Sequence, residues 1–278
     1  MATLELPTKQ TLEGARFSQL KWLLYGSPGL GKSTFFSKAV DGDRAPIFLH
    51  TDPGLRFIKA YKQPILSWTS FVNAVDTLVA KPSDRYSMVV LDTVDILFRM
   101  ARKFVCDREG INHVSELEWG KGGDMVRDQF DLQIAKLSLL DSHGTGLAFI
   151  SHSKDVEVRG RAVKTSKVVP TMMNGAYAAI APLCDVIGYA GFSVEKVTKE
   201  NPDGIGRVVH FAPDETYDAK DRTGMLPAKC RLDFDVVRQY LEEGGVEGGH
   251  EEIEEQEEIE ERPTKAVAVV AKKKKRRA

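Results

Sequence analysis

The 278-residue sequence predicts an α/β protein: a mainly parallel central sheet with helices on both faces, extended by antiparallel strands and followed by a disordered charged tail. Three observations predict it. Short apolar runs of strand length alternate with segments of helical spacing over roughly the first 150 residues, as in a parallel sheet buried on both faces. A glycine-rich loop stands between the first of those runs and the first helix. After Tyr240 the composition turns to glycine and glutamate, too poor in apolar surface to fold.

Residues 1–17 read as a lead-in. Residues 20–25 form an apolar strand ending at Gly26, and 32–40 a helix closed by Asp41-Gly42. Residues 45–50 are a second buried strand, with Thr51-Asp52-Pro53-Gly54 the turn at its end. Residues 69–80 place Phe71, Ala74, Val75 and Leu78 at helical spacing. Residues 86–91 are a third buried strand, ending in Asp92, and 96–106 align Leu97, Met100, Ala101 and Val105 on one helical face. Residues 109–124 are polar and glycine-containing, which predicts a loop. Residues 126–140 return to helix, and 146–150 give a fourth buried strand ending at Ser151-His152. Residues 154–167 are basic and glycine-punctuated, a flexible loop. Residues 168–171, 185–192 and 208–211 read as strands that extend the sheet in antiparallel fashion. The folded domain is thus placed at 18–240 and the tail at 241–278.

Composition narrows the class. Charged residues are 28% and apolar ones 42%, as in ordinary globular proteins. No stretch approaches the ~20 apolar residues of a membrane span, and the N-terminus lacks the pattern of a signal peptide. Cys106, Cys184 and Cys230 are widely spaced and odd in number, which points to free thiols in a reducing compartment. The net charge of −1 conceals a polarised tail. Residues 242–278 hold 11 Glu against 8 Lys and Arg; 251–261 are nearly all glutamate and 272–277 are six consecutive basic residues.

Gly26-Ser27-Pro28-Gly29-Leu30-Gly31-Lys32-Ser33-Thr34 contains G-x-x-x-x-G-K-[ST] with no mismatch. In such a loop the glycines let backbone N–H groups turn inward around phosphate oxygens. Lys32 reaches the β- and γ-phosphates, and the Ser33 hydroxyl ligates Mg²⁺. Strand, loop and helix stand in the order this chemistry requires. Met88-Val89-Val90-Leu91-Asp92, sixty residues after Lys32, fits the other half of such a site. Asp92, at the end of a buried parallel strand, can hold Mg²⁺ directly or through water, and can also cap the next helix.

Hydrolysis needs a group that orients or deprotonates water. Asp52 lies at the same strand edge, with Asp95 as competitor, and the alternative for Asp52 is a turn former in Asp-Pro-Gly. His152 closes the fourth strand, where it can feel the γ-phosphate and relay its loss to the next segment; the plain alternative is a satisfied histidine at a strand end.

With these residues in place the chain resembles the RecA-like branch of P-loop ATPases, and within it phage nucleotide-binding proteins of the AAA-domain, Sak-type single-strand-annealing group. The resemblance spans about residues 18–235. It rests on residues 26–34, 48–52, 89–93, 149–153 and 219–227. It implies ATP and Mg²⁺ as cofactors, a homo-oligomeric ring or filament, and single-stranded DNA as partner, with single-strand-binding protein or other replication and recombination factors alongside. It also implies a location in the cytoplasm, that of a bacterial host for a phage-encoded chain. The RecA-like position matching Asp52 is a glutamate, one carbon longer, and that matching His152 is an amide. Lys220 and Arg222 resemble paired basic residues that reach the neighbouring subunit's γ-phosphate; the alternative is a solvated turn. The segment at 109–123, with Trp119 and Lys121, and that at 154–167, with Lys154, Arg159, Arg161, Lys164 and Lys167, correspond in order to the two DNA-binding loops; the plain reading is exposed loops of ordinary charge. In the second, five basic residues face two acids, Asp155 and Glu157.

Two other classes compete. One is a nucleotide-gated loader or adaptor with little hydrolysis, which the shorter Asp52 keeps open. The other is a small-molecule kinase, against which the lack of an arginine-rich lid weighs; no Asn-Lys-x-Asp pattern supports a GTPase.

Overall fold

Trp22, Leu23, Leu24 and Tyr25 are buried in succession, so β1 (Lys21–Gly26) is covered on both faces. The computed structural model describes residues 16–159, 164–194 and 205–243. After β1 come α1 (Lys32–Ser37), β2 (Ala45–His50) and β3 (Tyr61–Pro64). Next, α2 (Trp68–Ala80) opens on a capping box in which the Ser67 and Ser70 hydroxyls each accept from the other's backbone N–H. β4 (Tyr86–Asp92) leads into α3 (Val94–Glu109), which ends at Gly110 in the left-handed conformation. There follow α4 (Lys121–Ser138), β5 (Gly146–Ser151), β6 (Ser153–Arg159), β7 (Lys164–Pro170) and α5 (Asn174–Ile180). The chain continues as β8 (Val186–Val194), β9 (Ile205–His210), β10 (Lys220–Asp221), β11 (Lys229–Arg231) and α6 (Phe234–Glu243).

The main sheet has the order β11-β9-β8-β1-β5-β4-β2-β3, with β10 also paired to β8. From β8 to β3 all neighbours are parallel, so the carboxyl ends of β1, β2, β4 and β5 share one edge. The strand alternation splits the core. Leu23, Tyr25, Val89, Leu91, Leu147 and Phe149 face α2 to α5. Trp22, Leu24, Val90, Ala148 and Ile150 face α1 and α6. Each of the large side chains among them contributes about 1.5–3 kcal/mol by leaving water, and together they fix the platform that carries the edge loops.

The structure departs from the sequence reading in several places. Residues 109–124 are mostly helical: short 3-10 turns at Val114–Glu116 and Glu118–Gly120 join α3 to α4, which starts at Lys121. Gly122, one of the glycines in that stretch, is a packing point, since a Cβ there would come 2.3 Å from the Val114 carbonyl oxygen. Within the stretch 154–167 read as a loop, residues 154–159 and 164–167 lie in the antiparallel strands β6 and β7, which pair apart from the main sheet. Val156, Val158, Val168 and Val169 supply the β-branched positions, and the strand read at 168–171 is mostly the second half of β7. β8 is parallel to β1, so antiparallel extension begins with β9. Finally, α1 stops at Ser37, three residues earlier than the sequence reading places it. β3, α5 and α6 have no counterpart in the sequence reading. Phe234, Val237 and Leu241 bury α6 across the expected boundary at 240. The rest of the tail lies outside the described residues.

Candidate functional site

Gly26 ends β1 directly opposite Ala190 of β8. A Cβ on Gly26 would come 2.3 Å from the Ala190 carbonyl oxygen, so only glycine fits. Gly31, with φ 98°, holds the left-handed turn into α1, and its carbonyl accepts from Phe35 N–H at 2.8 Å. Leu30 is buried against the α1 side of the sheet, whereas Ser27, Pro28 and Gly29 are exposed. The loop is therefore pinned at both ends and open in the middle.

Lys32 is 4% exposed, and its ammonium donates to the Gly26 and Ser27 carbonyl oxygens at 2.8 and 2.9 Å. Burial pushes its pKa from 10.5 down to about 8, against the pull of Asp92 and Asp95. A desolvated cation bonded only to neutral carbonyls has unspent capacity for an anion, which is what a phosphate-binding lysine requires. The Ser33 hydroxyl donates to Asp92 Oδ2 at 2.6 Å across the end of β5, the strand between β1 and β4. Asp92 is 6% exposed. Burial and the charge of Asp52 raise its pKa, against the Ser33 hydrogen bond, Lys32 and His152. A hydroxyl and a buried carboxylate in contact fit the one or two hard protein ligands that Mg²⁺ takes beside phosphate. The open glycine cradle over Lys32 fits the phosphates themselves. Ser33 and Asp92 would hold the metal.

Asp52 stands at the same edge. Thr51 N–H donates to the Asp92 carbonyl at 2.7 Å, and Thr93 N–H donates to the Thr51 hydroxyl at 3.2 Å, which fixes the β2 end against the β4 end. Asp52 Oδ1 accepts from Gly54 N–H at 2.7 Å and caps the turn Pro53–Phe57. The turn-forming role is thus present, and the carboxylate lies close enough to perturb Asp92. Asp95 is 9% exposed, and its Oδ1 accepts from the Ser151 and Thr171 hydroxyls at 3.0 and 2.5 Å. Those residues flank the β6–β7 hairpin, where Thr171 N–H also donates to the His152 carbonyl at 2.8 Å. Asp95 therefore staples both roots of the hairpin to the helix that follows Asp92. Its Oδ2 and His152 Nδ1 are buried without a hydrogen-bond partner.

The remaining candidates sit further out. Lys220 and Arg222 donate to the Ala181 and Pro182 carbonyls at 2.8 and 2.9 Å. Lys220 pairs with Ile187 near the start of β8, the end opposite the Gly26 loop. Trp119 is 97% exposed with φ 60°, a costly conformation for a bulky residue, and Lys121 beside it is exposed. In the hairpin, Lys154 is exposed and Lys167 pairs with Asp218 at 2.7 Å. The register places Arg159 opposite Lys164. Arg161 lies outside the described residues.

Two residues that the sequence reading does not nominate for the site join it. The Tyr25 hydroxyl donates to the Asp218 carbonyl at 2.7 Å and accepts from Asp218 N–H at 2.9 Å, so the strand before the loop touches the residue that pairs with Lys167. Arg207 of β9 approaches Gly31 from the far side of β8. Neither carries a motif; only pairing reveals them.

The Lys32 shift predicts a pH effect. Only the ammonium holds phosphate, so affinity for a fluorescent ADP should fall toward tenfold per pH unit above about 8. The sign for stability is opposite: the unfolded chain keeps the proton up to about 10.5, so the ligand-free fold gains stability between about 8 and 10.5. Titration across that interval checks the first statement, and an affinity that stays flat contradicts it.

A family model described as an AAA domain matches residues 18–223. The SPbeta prophage-derived uncharacterized protein YorG of Bacillus subtilis (strain 168) is 25% identical over 251 residues, spanning 88% of this chain and 69% of that protein. Among solved structures, the RadB recombinase aligns with a TM-score of 0.41 at 11% identity, over 69% of this chain and 80% of that one. At that score the likeness carries no residue correspondence.

Proposed function

We propose, from the premise that the chain belongs to the AAA domain family, that it is a RecA-like ATPase acting on single-stranded DNA in phage recombination, Sak-type annealing or replication. The observation that carries the reading is one connected edge. Lys32, Ser33 and Asp92 meet there, and the strand beside them runs through His152 straight into a hairpin bearing basic residues.

Mg²⁺, when bound, would neutralise negative charge on the phosphates. Lys32 exchanges its two carbonyl partners for phosphate oxygens, Ser33 and Asp92 would hold the metal, and the glycine loop turns its backbone N–H groups toward the phosphate chain. Asp52 releases Gly54, orients a water and accepts its proton on the carboxylate. His152, whose carbonyl ties to Thr171, passes the state of the site to the hairpin roots that Asp95 holds. Lys154, Arg159, Arg161, Lys164 and Lys167 bind the DNA backbone, with Trp119 and Lys121 as a stacking face and an added charge. Lys220 and Arg222 lie at the wrong end of β8 to serve their own loop, which supports a role toward a neighbouring copy in a ring or filament. The Asp52–Gly54 bond favours a second reading, a nucleotide-gated loader with slow turnover.

The test is fluorescence anisotropy of labelled single-stranded DNA with Mg²⁺ and either a non-hydrolysable ATP analogue or ADP. The expected result is binding at least about tenfold tighter in the triphosphate state, with a steep salt dependence. Arg222→Ala should keep nucleotide binding and lose DNA-stimulated turnover. Absent DNA binding in both states contradicts the DNA role, equal binding in both contradicts its control by nucleotide, and full stimulation in Arg222→Ala contradicts the trans role.

A further inference from the structure

We propose that Arg207 is a second cation on the nucleotide's phosphate chain, supplied by the same polypeptide as Lys32. The proposal rests on the reading of the Gly26–Thr34 segment as a nucleotide site. Two independent features place Arg207 there. The first is register. Ala190 of β8 stands opposite Gly26, and Phe192, two residues further on, stands opposite Arg207 of β9. Arg207 is therefore set just beyond the level at which β1 gives way to the loop.

The second is the side chain. Arg207 Nη1 lies 3.4 Å from the point a Cβ on Gly31 would occupy, against the residue that immediately precedes Lys32. The side chain is exposed, and no carboxylate among the described residues pairs with it. The cations nominated by sequence resemblance behave otherwise. Lys220 and Arg222 sit at the far end of β8 with donors committed to helix-end carbonyls.

A planar guanidinium with unused donors suits phosphate oxygens better than any other common side chain, because its fork matches two oxygens at once. A nucleoside triphosphate brings several negative charges, and Lys32 alone leaves most of them to solvent and metal. The glycine at position 31 is required by the left-handed turn, and Arg207 Nη1 lies within contact distance of that turn.

The experiment uses the full chain as wild type, Arg207→Ala, Arg207→Lys and Lys32→Ala. Each is titrated with fluorescent ADP and with Mg·ATP, and inorganic tripolyphosphate serves as competitor. Arg207→Ala should weaken ATP, ADP and tripolyphosphate alike, by about ten- to hundredfold, the range of a hydrogen bond to a charged group. Arg207→Lys should recover part of the loss, since it restores the charge without the fork. Unchanged dissociation constants in Arg207→Ala, with binding lost in Lys32→Ala, overturn this proposal and leave the nucleotide reading intact. A loss seen for nucleotides but not for tripolyphosphate moves the contact to base or ribose and also overturns it. A wild-type protein that binds neither probe overturns both. Because Arg207 is exposed, Arg207→Ala should melt with the wild type, so that a loss of affinity reports on the site.

Discussion

Lys32→Ala is expected to abolish nucleotide binding at concentrations where the wild type saturates. The ammonium is nearly sealed from water and bonded only to the Gly26 and Ser27 carbonyls, so its charge is held ready rather than neutralised. Two charge-assisted bonds to phosphate would together be worth at least about 3 kcal/mol, or roughly a hundredfold in affinity. Turnover should fall further, by about 10²–10³, because charge on the departing phosphate grows in the transition state. The ligand-free fold should survive, since what is removed is a cation that burial disfavours. Calorimetric titration with Mg·ATP beside a thermal melt separates the two effects. Near wild-type affinity in a folded variant would contradict the assignment.

Asp92→Asn should act differently: nucleotide still binds, turnover falls by about 10²–10³, and dependence on Mg²⁺ disappears. Asparagine keeps an oxygen to accept from the Ser33 hydroxyl, so the local geometry holds. Stability should move the other way. Burial raises the Asp92 pKa in the fold, so the ionised carboxylate costs stability in full above the folded-state pKa. That cost shrinks as pH falls and is gone below the ordinary carboxylate range. Asp92→Asn removes it, and the ligand-free variant should melt at or above wild type at neutral pH, with the difference closing in acid. Added Mg²⁺ and nucleotide should stabilise the wild type more than the variant. A variant that melts lower at neutral pH yet turns over normally would place the metal elsewhere.

The parallel sheet is legible in sequence because each central strand is an unbroken apolar run, which only two-sided burial explains. The meeting of Lys32, Ser33 and Asp92 is legible for the same reason: each follows the carboxyl end of such a strand. What the sequence hides is set by pairing. β3 is exposed at all four residues and carries no apolar signal. The hairpin strands at 153–159 and 164–170 read as a loop because their lysines and arginine, with the glycine that follows the first, outweigh their four valines in a local count. The glycines near residue 120 signal a loop, yet α4 starts at Lys121, and Gly122 sits where the Val114 carbonyl leaves no room for a Cβ. Asp95 reads as a rival to Asp52, but one of its oxygens is taken up by Ser151 and Thr171, the latter 76 residues away. Arg207 belongs to no motif, and only the β8–β9 register brings it to the loop.

The most direct test of the central claim is phosphate release from Mg·ATP by the full chain, measured as single-stranded DNA is added. A slow basal rate that rises at least about tenfold and saturates with DNA is the expected result if the proposed coupling of the site to the hairpin through His152 holds. A rate that is the same with and without DNA, at a salt concentration low enough for phosphodiester binding, would contradict it.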